Sequence, residues 1–192
     1  MDLMEAIRSR RTIRLMQSEP VPDGTLETIL EAGVWAPNHK LTQPWRFIVL
    51  GPQSKLAIAY AILDYRLASM DMATTRLEID QVIEKIWQRF VRVGAVVAVT
   101  CQREPGSSEH QRRDDFAAVC TAIQNMQLAA WSYGIGACWV NGLVTRMSET
   151  SKILGTDDRT EELIGIVSLG YPAEPPAKGS RIDARSLTRS LP

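Results

Sequence analysis

The sequence predicts an α+β fold: a single domain spanning residues 1–192 in which long helices surround a small sheet. Three observations lead there. A chain of 192 residues amounts to about one domain, and 45% hydrophobic residues suffice for a full core. Segments with apolar residues at three- and four-residue steps are interleaved with short Val- and Ile-rich runs. No repeat and no internal linker divides the chain.

Taken in order, Leu3, Met4 and Ile7 form one face of a short helix that Asp2 is placed to cap. The basic cluster Arg8-Ser9-Arg10-Arg11-Thr12-Ile13-Arg14 follows. Pro20 and Pro22 break the chain, and Asp23-Gly24 starts a helix with the stripe Leu26, Ile29, Leu30 and Val34, Gly33 falling near its end. Pro37 and Pro44 bracket an irregular loop, after which Trp45 to Leu50 reads as a strand ended by Gly51-Pro52. A helix from about Ser54 presents Leu56, Ile58, Ala59, Ile62 and Leu63. From about Thr74 to Arg92 the chain is charged and helical, with Leu77, Val82, Ile83, Ile86 and Phe90 among its apolar positions.

Ala95 to Thr100 is too short for a buried helix and rich in Val, which predicts a central strand. Arg112 to Tyr133 has the clearest helical period, through Phe116, Val119, Cys120, Ile123, Met126, Ala130 and Trp131, and Gly134 supplies its stop. Ala137 to Val144 and Leu163 to Leu169 read as strands, and Ser148 to Leu154 as a short helix closed by Gly155. Pro172, Pro175 and Pro176 make the tail extended.

Composition excludes several functions. The 22 Lys+Arg balance the 22 Asp+Glu, so the chain lacks the basic excess of a general nucleic-acid binder, although a small phosphate pocket is compatible. No apolar run approaches the ~20 residues of a membrane helix, and the start of the chain lacks a signal-peptide core. Cys101, Cys120 and Cys138 fit neither a disulfide framework nor a CxxC motif, which predicts buried, reduced thiols in a cytoplasmic protein. With only His39 and His110, no His-rich metal site can form, and HExxH, GxSxG and GxxxxGK[ST] are absent. Gly134-Ile135-Gly136 follows a helix, whereas a dinucleotide loop follows a strand and opens a helix.

Three features remain. Arg10, Arg11, Thr12 and Arg14 place three guanidiniums and a hydroxyl at the end of a helix, a set suited to bidentate phosphate binding. Alone, the same cluster also fits a solvated basic face. The loop Asn38-His39-Lys40-Leu41-Thr42-Gln43 concentrates hydrogen-bonding side chains between rigid elements, as ligand loops do, and equally fits a rigid turn with Trp45 in the core. Lys178 and Arg181 in the tail either return positive charge to a phosphate or form a flexible polar end.

Together and in this order, the features resemble the nitroreductase family of flavoenzymes, in particular its short bacterial subgroup. Arg10-Arg-Thr-x-Arg14 is similar to the family's Arg-Arg-Ser-x-Arg signature, with Thr12 in the Ser place. Ala36-Pro-Asn-His-Lys-Leu-Thr-Gln-Pro-Trp-Arg-Phe47 is similar to its Ala-Pro-(Asn/Asp)-His-Lys-x-x-(Gln/Glu)-Pro-Trp segment. The helix Ala122 to Ala130, the turn Gly134 to Trp139, and Leu169-Gly-Tyr-Pro172 with the basic tail resemble its later motifs. Residues from about Asp64 to Arg92 match no motif of the family.

The resemblance implies a nitroreductase-like domain with a small mixed sheet, intertwined as a homodimer with FMN at the subunit interface. Arg10, Arg11, Thr12 and Arg14 would hold the phosphate, ribityl chain and pyrimidine edge, and Lys178 and Arg181 would complete the phosphate shell. Trp35 and His39 would reach the flavin bound mainly by the partner chain, with Asn38 and Gln43 as further contacts. Trp139, Val140 and Asn141 would pass close to the isoalloxazine, and Gly170 would line the pocket. The subgroup often carries Arg where this chain has Trp35 and Val140. The implied activity is NADH- or NADPH-dependent reduction of nitroaromatic, quinone or similar electron-poor small molecules, in a ping-pong order and with the flavin rather than a protein side chain carrying the chemistry. Alternatives are an FMN carrier or sensor without turnover, and a flavin-fragmenting or dehalogenating relative.

Overall fold

Helices form where the caps and the apolar spacing agree. The computed structural model describes residues 1–71 and 73–191. Helix α1 (Leu3–Ser9) begins at Asp2, whose carboxylate accepts the Glu5 N–H at 2.8 Å. Helix α2 spans Asp23–Val34. Helix α3 (Pro52–Ala68) starts on Pro52 itself, ahead of the expected Ser54, because proline suits a first turn whose N–H groups have no helical partner. Helix α4 (Arg76–Ile86) opens on a capping box in which Thr75 and Glu78 each accept the other's backbone N–H. It runs into a π-helical turn, Trp87–Val91. Helix α5 (Glu109–Ser132) starts one turn earlier than expected, because Ser108 accepts the Gln111 N–H at 3.2 Å. Helix α6 covers Ser148–Leu154.

Strands β1 (Trp45–Val49), β2 (Ala95–Gln102), β3 (Gly136–Val140) and β4 (Glu161–Gly170) form one sheet in the order β1-β2-β4-β3. All three strand pairs are antiparallel; the parallel pairing seen among the described residues is an isolated bridge between Thr12 and Ala137, outside the four strands. The third strand stops at Val140, short of the expected Val144, because residues 143–145 close a 3₁₀ turn.

Strands β2 and β4 are central, covered by helices on both faces, which is why their sequences are continuous apolar runs without alternation. Alternate residues still divide between two cores. Val97 and Val99 pack with Leu26 and Ile29 of α2 and with Val119, Ile123 and Met126 of α5. Val96 and Ala98 pack with Ile58, Ile62 and Phe90 from α3 and the π-helical turn. From the unmatched segment, Val82, Ile83, Ile86, Trp87 and Phe90 pack onto the second core. Several expected apolar-face positions are corrected: Leu3, Met4, Ile7, Val34, Leu56 and Leu77 are exposed, and so is Phe116, whose neighbour Asp115 turns inward instead. Among the described residues, no helix is long and apolar enough to cross a membrane.

The thiols are unpaired, with Cys101 and Cys138 buried and Cys120 half-buried. Burial, reinforced by Asp115 and Glu162, pushes the Cys101 thiol from 9.0 up to about 12. Above pH 9 the unfolded thiol loses a proton that the folded one keeps, so unfolding gains as pH rises. Stability should fall by about 1.4 kcal/mol per pH unit from this group between its two pKa values. Urea unfolding across that range is expected to show a shallower fall in Cys101→Ala than in the parent. An identical slope would show that the thiol ionises equally in both states.

Candidate functional site

Segment 10–16 is held flat against one end of the sheet. The Ile13 N–H donates to the Ala137 carbonyl at 3.0 Å, the Gln17 N–H to Tyr171 at 2.8 Å, and the Ala173 N–H to Leu15 at 3.1 Å. Ile13 and Met16 are buried, so the residues between and before them face outward. The approach is close: a Cβ on Gly136 would stand 2.5 Å from Ile13 Cγ1, and one on Gly170 would stand 3.2 Å from Met16 Cβ. Glycine at 136 and 170 is what lets the arginine segment lie there. Gly170, expected to line the pocket, packs against Met16 and is not among the residues lining the cavity that the arginines form.

This placement brings Arg10, Arg11, Thr12 and Arg14 to one cavity of about 510 Å³, closed from the other side by residues 174–177 and Arg181. Among the described residues none of these four arginines is in an ion pair. The Arg10 guanidinium is held below its ordinary pKa by burial first, then by the like charges of Arg11 and Arg181. Glu174 also lines the cavity but forms no ion pair with these arginines among the described residues, so the converging cations repel one another and an anion between them relieves that repulsion. Arg11 is positioned by its own backbone: its Nη1 donates to the carbonyls of Arg8 at 2.8 Å and Arg10 at 2.7 Å. Its Nε is buried without a partner, and Gly179 packs so tightly on the guanidinium that a Cβ there would overlap it.

Not every expected residue joins the cavity. Lys178 lies on the far side of Arg11, in an adjoining hollow with Asp2, Glu5 and Trp131. Trp139 and Val140 are successive strand residues and turn to opposite faces, Trp139 to the core under α5 and Val140 to the core under α3. The Trp139 indole passes over Gly165, and its buried Nε1 has no acceptor. Asn141 is exposed, its carbonyl accepting the Thr145 hydroxyl at 3.1 Å.

The loop after α2 forms a separate exposed unit. Trp35 is 79% exposed and Leu41 77%, and His39 and Gln43 are exposed as well. The loop is nonetheless fixed. Asn38 Oδ1 accepts the Gln43 N–H at 3.0 Å, and the Thr42 hydroxyl donates to the buried Asp115 carboxylate at 2.7 Å. Lys40, Leu41 and Gln43 have φ of 55°, 53° and 43°, a left-handed path that non-glycine residues adopt only under constraint. None of Trp35, Asn38, His39 and Gln43 lines the arginine cavity of its own chain.

Two contributors were absent from the sequence reading. Gln127, buried on α5, offers Oε1 to Arg10 Nη1 at 3.5 Å, and Asp115 anchors the exposed loop. Both are polar residues on the buried face of an apolar helix, the signal that marks them. Among the described residues no group of His, Cys, Asp and Glu could hold a metal ion.

Residues 7–171 match the Nitroreductase family. The chain is 34% identical over 186 residues to a Bacillus subtilis (strain 168) protein named "Putative NAD(P)H nitroreductase YfhC", covering 95% of this chain and 91% of that one. Among solved structures, a nitroreductase-like family protein from Bacillus cereus superposes with a TM-score of 0.81 at 25% identity, covering 100% of this chain and 96% of the other. A Desulfovibrio desulfuricans protein solved in complex with FMN superposes with a TM-score of 0.75 at 27% identity, covering 100% and 98%. The segment 10–16, the loop after α2 and the strand β4 all lie within the matched span. The chain belongs to the Nitroreductase family.

Proposed function

We propose that this protein is an FMN-dependent NAD(P)H oxidoreductase that works as a homodimer and reduces nitroaromatic, quinone or similar electron-poor small molecules. The observation that carries the reading is the convergence of Arg10, Arg11 and Arg181 on one cavity with no ion-pair partner among the described residues. Those guanidiniums suit a phosphomonoester, with Thr12 and Arg14 beside them for the ribityl chain and pyrimidine edge. The family relationship and the neighbour solved with FMN support flavin as the group attached to that phosphate.

FMN, when bound, supplies the hydride and electron chemistry. What remains for the chain is binding, orientation and shelter. Exposed Trp35, Leu41 and Phe116 form apolar surface on α2, its loop and α5, the kind of surface that a second subunit covers. In that dimer Trp35 and His39 reach the flavin of the partner chain, which explains why they stand clear of their own chain's arginine cavity. Free thiols suit a reducing, cytoplasmic setting.

Anaerobic mixing with NADH or NADPH tests the reading. A yellow protein should bleach with at least one nucleotide and recover its colour on addition of a quinone. Steady-state double-reciprocal plots should be parallel, since donor and acceptor use one cleft in turn. A coloured protein that neither nucleotide bleaches would be a carrier, and a colourless one that ignores added FMN would sink the flavin assignment.

A further inference from the structure

The loop between α2 and β1 follows a path that its own sequence does not favour. Lys40, Leu41 and Gln43 hold φ of 55°, 53° and 43°, yet residues 38–43 include no glycine. Such residues stay left-handed only where the surroundings over-determine them. Within the loop, Asn38 Oδ1 accepts the Gln43 N–H at 3.0 Å. Thr42 ties the loop to the body of the fold. Its hydroxyl stands 2.7 Å from Asp115 Oδ1 on α5 and 3.3 Å from the His39 carbonyl. A hydroxyl has a single proton, and a carboxylate is the stronger acceptor, so Thr42 donates to Asp115.

Asp115 is out of place by the rules of packing. It is only 7% exposed, sits one turn before Ala118 and Val119 on the core face of α5, and is in no ion pair among the described residues. Its Oδ1 is shared by Thr42 and by Gln111 Nε2 at 3.0 Å, both neutral donors. A buried carboxylate without a cation costs stability, and an apolar side chain would fill the position better. Its bond to the loop is what an apolar side chain could not supply.

We propose that Asp115 is a positioning residue for the flavin site of the partner subunit: through Thr42 it holds the left-handed loop, and thereby the point from which His39 reaches across. This role rests on the flavin and homodimer reading. Helix α5 runs unbroken for 24 residues, so a carboxylate on it is a rigid reference for the loop. His39 follows Thr42, whose N–H donates to the His39 carbonyl at 3.4 Å. Arg10, Arg11 and Arg181 stand outside this chain of contacts, so the grip on phosphate does not depend on it.

The test compares Thr42→Val, which exchanges the hydroxyl for a methyl group at the same branch point, with Asp115→Leu and Asp115→Asn. Each is read twice with excess FMN present: by hydrogen–deuterium exchange of residues 38–43, and by the anaerobic bleaching rate per bound flavin with NADH or NADPH. Losing a hydrogen bond to a charged group should speed exchange of the loop by about tenfold or more. Thr42→Val and Asp115→Leu should keep their FMN yet bleach roughly 10- to 100-fold more slowly, as for a contact displaced by about an ångström. Asp115→Asn still offers an oxygen to both donors and should lose only about threefold. Added to His39→Ala, Thr42→Val should slow the residual rate no further, because both act through one contact. Thr42 is exposed, so Thr42→Val keeps the fold and decides the matter should Asp115→Leu fail to fold. Unchanged loop exchange, an unchanged rate per bound flavin, or losses that multiply in the double variant would overturn the proposal and leave the flavin reading standing. A protein that takes up no FMN overturns both.

Discussion

Arg10→Ala is expected to weaken FMN by roughly 10- to 150-fold while leaving riboflavin affinity unchanged. A hydrogen bond to a charged group contributes about 1.5–3 kcal/mol, and each 1.4 kcal/mol is about a factor of ten. Arg10 sits among Arg11 and Arg181 with its guanidinium already destabilised by burial and like charge, so an anion gains more from it than from a solvated arginine. The prediction is specific to phosphate. Riboflavin has the same ring and ribityl chain, so a variant that lost both ligands equally would place Arg10 on the ring or show that the pocket had collapsed. Fluorescence titration of stripped protein with each flavin measures both arms. Gln127, which accepts from Arg10, offers a subtler control, since Gln127→Leu removes the acceptor and leaves the charge.

The second large effect is a recovery. If Arg10 binds FMN within its own chain and His39 reaches the flavin of the partner, each site of a two-fold dimer needs both subunits. Arg10→Ala and His39→Ala homodimers should each be nearly inactive. In a mixed dimer, one site combines an intact Arg10 with an intact His39, while the other carries both defects. Random exchange makes about half the dimers mixed, each with one good site of two, so activity should return to about a quarter of the parent. Should mixing restore nothing once exchange is verified by mass, His39 must serve its own chain. The exposed position of His39, away from the arginine cavity of its own subunit, favours the shared arrangement.

What was legible in the sequence followed the range of the interaction. Caps are local, and Asp2, the α3 start and the α5 helix fell within a turn of their expected places. The central strands were readable because burial on both faces leaves an unbroken apolar run. Phe116 misled because a stripe counted from apolar residues alone skips Asp115, which is buried by its bond to Thr42 across the fold. Arg10 to Arg14 stand out as a cluster, but nothing local ties them to Arg181 or to Gly179; the family resemblance implies Arg181, and the Gly179 contact is visible only in the structure.

The arginine cavity joins residues 10–14 to residues 174–181. During synthesis the first group leaves the ribosome well before the second. At roughly 5–20 residues per second, the first arginines wait on the order of 10–30 seconds for Arg181 to emerge. Strand β4 must also be out before Ala173 can pair with Leu15 and bring the tail across. The nascent chain can therefore fold its helices and early strands with the cationic segment still open, and the anion pocket closes only once residues 174–181 have emerged. A ribosome stalled before residue 174 holds a chain without Arg181 and without that wall of the pocket, and such a chain is expected to hold a phosphate more weakly.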